Sequence, residues 1–113
     1  MRRIKGRWYF GYFKNSRYNT VTDTVEEMKT YKNSIDKNKV IKHIETEATL
    51  WLLAGTECCG IDLFTGERFE DGDYDDGDFS FTVEFFRYYK RGDVGLPQEY
   101  EEYLKKNIIE EIL

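Results

Sequence analysis

Proline occurs once, at Pro97, histidine once, at His43, and cysteine only as the adjacent pair Cys58-Cys59. Each scarcity closes a route. Neighbouring cysteines make a strained disulfide and a stapled framework needs thiols spread along the chain, so two reduced thiols in a cytosolic protein are expected. Two adjacent thiols and one histidine do not fill a zinc site, and small buried apolar residues are the default reading of the pair. The longest apolar stretch, residues 50–54, falls far short of a membrane span. Arg2, Arg3 and Lys5 lead into Arg7, Lys14 and Arg17 rather than an apolar segment, so no secretory signal is expected. Gly6, Gly11, Gly55, Gly60 and Gly66 stand singly, which leaves no phosphate-cradling loop. No membrane partner, metal or cofactor is expected.

Acids are also missing from residues 1–22, which carry six bases, whereas residues 61–113 hold fifteen acids against six bases, a balance of −9 within a net charge of −5. Two consequences are open. Basic and acidic segments can fold against each other and largely cancel, or an acidic face can be left for a cationic partner. The chain is not short of apolar matter: 40% of its 113 residues are hydrophobic and 17% aromatic, enough to offset the entropy of ordering one domain and too short a chain for two.

The pattern along the chain predicts a strand over residues 4–13, where Trp8, Phe10 and Tyr12 alternate with Tyr9 and Phe13, then a turn at 14–19. Residues 20–31 fit either a partner strand or a helix with Asp23 and Glu26 as a capping box; strand followed by a polar link is preferred. A helix capped by Asp36 follows, with Val40, Ile44, Ala48, Trp51 and Leu52 at intervals of three and four and Gly55 at its end. Residues 58–64 read as a short strand, Thr65-Gly66 as a turn, and Phe79-Ser80-Phe81 as another strand. Thr82 is placed to cap a helix that closes on Lys90, Arg91 and Gly92. Pro97 opens the last helix, with Tyr100, Leu104, Ile108 and Ile112 on one stripe and Glu99, Glu102, Lys106 and Glu110 facing away. The expected class is α+β: a single small domain of short antiparallel strands with about three helices, made of an aromatic, basic region (1–35) and a region (36–113) of helix, acidic loop and two further helices.

The densest signal is the run Glu67-Arg68-Phe69-Glu70-Asp71-Gly72-Asp73-Tyr74-Asp75-Asp76-Gly77-Asp78, seven carboxylates around one arginine, read as a loop between two short strands. Asp71, Asp73 and Asp75 have the spacing that opens an EF-hand, but Asp76 stands where that loop needs glycine and Thr82 where it needs glutamate. A carboxylate pair for general acid and base chemistry would require a semi-apolar pocket, whereas aspartates among glycines are more naturally solvated; a small carboxylate-dependent enzyme is therefore the alternative of a different class. His43 reads as a helix-surface or boundary residue, with no triad that spacing can assemble. Trp8, Tyr9, Phe10 and Tyr12 among arginines could stack single-stranded nucleic acid, yet the core needs those rings and the acidic balance repels phosphate, so no direct nucleic-acid partner is expected. Protein contact is the reading that remains. Clustered carboxylates beside aromatic anchors suit capture of a basic surface, with Glu70, Asp71, Asp73, Tyr74, Asp75, Asp76, Asp78 and Phe79 as the partner-binding residues and no catalytic ones.

Over residues 41–107 the order of parts resembles small, standalone immunity-type proteins of bacterial toxin systems. The similar elements are a helix ending in glycine (41–55), an Asp-x-Phe-Thr-Gly-Glu segment (62–67), an Asp-Gly-x-Phe turn (76–79), the aromatic helix with Tyr88-Tyr89, and a closing Leu-Pro-x-Glu-Tyr helix (96–100). The resemblance implies a cytoplasmic, non-enzymatic antidote that blocks one cognate toxin, with a nuclease as the partner if the acidic residues imitate nucleic-acid charge. A phage-encoded inhibitor of a host nuclease-based defence is the alternative with the same physics and a different partner.

Overall fold

Lys5 and Gly6, both at positive φ (50° and 82°), turn the start of the chain back on itself. Strands β1 (Arg2–Ile4) and β2 (Arg7–Phe10) then pair antiparallel, with Arg3 opposite Trp8. Positive φ at both turn positions matches the right-handed twist of the flanking strands, so the single strand expected over 4–13 is held to Arg7–Phe10, the second arm of a tight hairpin that begins at Arg2. The computed structural model describes residues 1–13, 21–53 and 59–112; of Cys59 and residues 109–112 it describes the backbone alone. The turn expected at 14–19 and the Gly55 cap lie outside the described residues.

Within residues 20–31 the preferred strand is corrected: residues 21–24 form neither strand nor helix, and a helix follows them. In α1 (Val25–Lys29) the Thr24 hydroxyl accepts from the Glu27 N–H, which satisfies a donor that a helix start leaves orphaned, and Met28 is buried one turn on. Asp23 does not cap. Its carboxylate is buried, accepting from the Gly11 N–H, the Thr22 hydroxyl and the Met1 amino group.

Helix α2 (Lys37–Glu47) begins as expected, with the Asp36 carboxylate accepting from the Lys39 N–H and Val40 and Ile44 fully buried. It stops far short of residue 55. Ala48 is already extended (ψ 146°), and β3 (Thr49–Leu52) carries Trp51 and Leu52 away from the core stripe assigned to them. The last turn has Glu45 and Glu47 and no base, the wrong charge for a helix C-terminus. Leaving the helix there also lets Thr49 to Leu52 satisfy the ladder of a neighbouring strand.

That neighbour is β6 (Gly72–Asp76), which lies between β3 and β7 (Phe79–Thr82) in a five-stranded sheet of order β1-β2-β7-β6-β3. All its pairings are antiparallel except β2 with β7, whose strands run parallel with Phe10 beside Phe81. A second, two-stranded sheet pairs β4 (Cys59–Ile61) with β5 (Arg68–Glu70). The Thr82 hydroxyl caps α3 (Val83–Arg91), which ends on Gly92 at φ 87° as its sequence signals require. In α4 (Gln98–Ile112), Tyr100, Leu104 and Ile108 are buried while Glu99, Glu102 and Lys106 are exposed. The chain is thus an α+β fold, and among the described residues no helix is long and apolar enough to cross a membrane.

One face of the five-stranded sheet carries the helices. Phe10 stands at its centre, its ring 5.0 Å from those of Phe81 and Phe85 and 5.1 Å from that of Tyr100. Aromatic pairs at such separations add specific geometry to simple area burial.

Candidate functional site

The acidic run is not a solvated loop. Residues 68–70 and 72–76 are strands β5 and β6, and Gly77-Asp78 is the two-residue turn that returns the chain into β7. The eight residues expected to face a partner therefore divide. Glu70 and Asp78 are exposed, and Asp71, Tyr74 and Asp75 are half-buried, whereas Asp73, Asp76 and Phe79 are only 6%, 5% and 6% exposed. Strand periodicity sends Tyr74 and Asp76 to the helix side and Asp73 and Asp75 to the other face, so each face takes one buried aspartate and one half-buried residue.

On the open face, basic and acidic segments meet. Arg7 donates from Nε to the Ser80 hydroxyl (2.6 Å) and its guanidinium lies 3.3 Å from Asp75. The Ser80 hydroxyl donates in turn to Asp75 Oδ1 (2.6 Å), and Trp51 Nε1–H donates to Asp75 Oδ2 (3.1 Å). Tyr12 donates to Asp73 (2.9 Å). A shallow depression of about 570 Å³ lies between Arg7, Tyr9, Tyr12, Trp51 and Asp75. Part of the charge in the run is thus neutralised by the chain itself.

On the helix side, Asp76 is a structural acceptor. His43 Nε2 lies 2.9 Å from its carboxylate, Tyr100 donates at 2.7 Å and Tyr103 at 3.4 Å. Burial and the adjacent Asp76 hold the Tyr100 hydroxyl well above its ordinary pKa. His43 is buried, not the surface or boundary residue expected. Its position three residues after Val40 put it near the core stripe, but no local signal in the sequence identifies a partner 33 residues away.

The turn joining β4 to β5 is built on Asp62, a residue assigned no role by motif reasoning alone. Its fully buried carboxylate accepts from Arg87 Nε (2.6 Å), from both terminal nitrogens of Arg91 (2.6 and 3.1 Å), and from the Phe64 and Thr65 N–H groups. These donors, Arg91 foremost, outweigh burial and hold the carboxyl far below the usual carboxylate range. Arg87 also binds Glu67 (2.6 Å), and the Leu63 N–H donates to Tyr88. The Asp-x-Phe-Thr-Gly-Glu segment is therefore a turn clamped to α3.

The clamp leaves apolar side chains outside. Leu50, Trp51 and Leu52 of β3, with Ile61, Leu63 and Phe64 of the β4–β5 hairpin, are each 42–59% exposed. Between Lys42 and Arg68 the sequence has no lysine or arginine. The exposed apolar side chains thus lie on two separate elements: β3 is flanked by the exposed Glu45 and Glu47, whereas on the β4–β5 hairpin Arg68 stands across from Ile61 and Lys29 and Arg91 lie over the Phe64 ring. Sequence reasoning missed β3 because the helical spacing of Trp51 and Leu52 continues that of α2. Among the described residues no three His, Cys, Asp or Glu side chains converge on a metal position. No protein-family model, no curated protein and no solved structure matches the chain.

Proposed function

We propose that this protein is a non-enzymatic inhibitor, an immunity-type antidote that acts in the cytoplasm by binding one cognate bacterial toxin and covering its cationic, nucleic-acid-binding surface. The observation that carries the reading is β3, whose Leu50, Trp51 and Leu52 are exposed next to the exposed carboxylates of Glu45 and Glu47, with Asp71 across from Leu53 at its far end. Apolar anchors supply the desolvated centre that binding energy requires, and the surrounding charge steers a basic partner into contact. With Asp73 and Asp76 buried, charge mimicry rests on Glu70, Asp71 and Asp78, and apolar contact takes a larger share.

The test begins with the neighbouring genes, among which this reading expects a large toxin with a nuclease domain. The purified toxin titrated with this protein should lose nuclease activity at equimolar ratio and elute with it as one complex. Full nuclease activity in the presence of excess protein would overturn the proposal.

A further inference from the structure

The two edges of the five-stranded sheet are built oppositely. β1 is Arg2-Arg3-Ile4, followed by Lys5, the charged kind of edge that resists pairing with another chain. β3 is Thr49-Leu50-Trp51-Leu52, without a charge and with all four residues exposed. Among the described residues no strand pairs with its outer side. The Leu53 N–H donates to the Asp71 carbonyl, and a Cβ on Gly72 would collide with the Trp51 carbonyl, so residues 51 and 53 direct their backbone groups at β6. By the two-residue alternation of an antiparallel ladder, the N–H and C=O groups of Leu50 and Leu52 point outward.

We propose that β3 is a docking strand: an extended, cationic segment of the partner adds to the sheet beside it as a sixth strand. Backbone bonds to Leu50 and Leu52 give the register, and Leu50, Trp51 and Leu52 supply the apolar contact. Charge selects the occupant. Glu45 and Glu47 are exposed just before β3, so lysines or arginines at that end of the incoming strand meet carboxylates, and Asp71, on the β6 side of Leu53, adds longer-range attraction. A second copy of this chain would bring the same acids against them, which disfavours self-pairing. The inference rests on the inhibitor reading for the identity of the partner, and on the edge alone for the mode of contact.

The probe is an end-capped peptide of about eight alternating lysine and valine residues, with a glutamate–valine peptide as control. The lysine peptide should slow hydrogen exchange at the Leu50 and Leu52 amides and lose affinity as salt is raised; the glutamate peptide should do neither. Leu50→Pro removes an outward donor without touching the ladder to β6 and should weaken peptide binding about tenfold or more, with the melting temperature nearly unchanged. Unprotected Leu50 and Leu52 amides at saturating lysine peptide would overturn the inference, as would a wild-type dimer that Leu50→Pro converts to monomer. The exchange measurement on the wild type decides even if the proline variant does not fold. If the peptide fails while Leu50→Pro still inhibits the toxin, only the docking mode falls. If the peptide binds and no toxin is inhibited, the function falls and the docking strand stands.

Discussion

The carboxylate of Asp62 and the guanidinium of Arg91 are joined by two hydrogen bonds, 2.6 and 3.1 Å long, which fix the β4–β5 turn to the surface of α3. Asp62 is fully buried, whereas Arg91 and Arg87 are about a third exposed and can rehydrate when the pair is broken. Asp62→Asn should therefore cost about 2 kcal/mol, less than breaking a fully buried pair.

The same contact sets an acid dependence. Asp62 titrates lower in the folded chain than in the unfolded one, so its stabilisation is complete above the unfolded carboxylate value of about 3.9 and is lost as pH falls below it toward the depressed folded value. Melting temperatures measured from pH 6 down to about pH 2 should fall more steeply for the wild type than for Asp62→Asn. Parallel curves would show that Asp62 does not carry the acid sensitivity.

What was legible in the sequence follows from how local each cause is. Asp36, Thr82 and Gly92 were readable because a cap is decided by a side chain and a backbone group a few residues apart. The core stripe of α4 was readable because its period is internal to the helix. The boundary between α2 and β3 was not, since Val40, Ile44, Ala48, Trp51 and Leu52 keep helical spacing and only the distant β6 offers the ladder that wins. The loop reading of the acidic run failed for the opposite reason: its carboxylates read as solvated, yet Arg7, Trp51 and Tyr12 on one face and His43, Tyr100 and Tyr103 on the other supply enough donors to build three of the seven, Asp73, Asp75 and Asp76, into a strand.

Asp76 should be the most costly member of the run to remove. Asp76→Ala would leave the buried polar groups of His43 and Tyr100 without their shared carboxylate, a loss of about 3 kcal/mol. Tyr100→Phe removes one donor and leaves the acceptor served by His43, so about 1 kcal/mol is expected. Urea denaturation of the two single variants and the double variant should give a total well below the sum, because both changes remove the same bond.

Gly72 holds β3 against β6. Any side chain there meets the Trp51 carbonyl, a backbone atom that can move only if the strand does. Gly72→Ala should cost about 2 kcal/mol and speed hydrogen exchange in residues 49–53 more than in α3. Uniform loss of protection across the chain would mean that the glycine supports the whole fold and not this edge.

Charge reversal separates the partner face from the buried part of the same run. Glu70→Lys and Asp78→Lys change exposed positions, so stability should shift by no more than about 0.5 kcal/mol. Asp73→Lys places an ammonium where a 6%-exposed carboxylate accepts from Tyr12, and should lower stability by several kcal/mol. Trp51→Ala removes a 59%-exposed ring with one surface hydrogen bond, so folding should change little while affinity for a partner seated on β3 falls by about 2 kcal/mol, roughly thirtyfold. Surface plasmon resonance against the toxin should place Glu70→Lys in a slower association rate and Trp51→Ala in a faster dissociation rate, since long-range charge acts on encounter and apolar contact on residence. A partner whose binding ignores both substitutions docks elsewhere on the molecule.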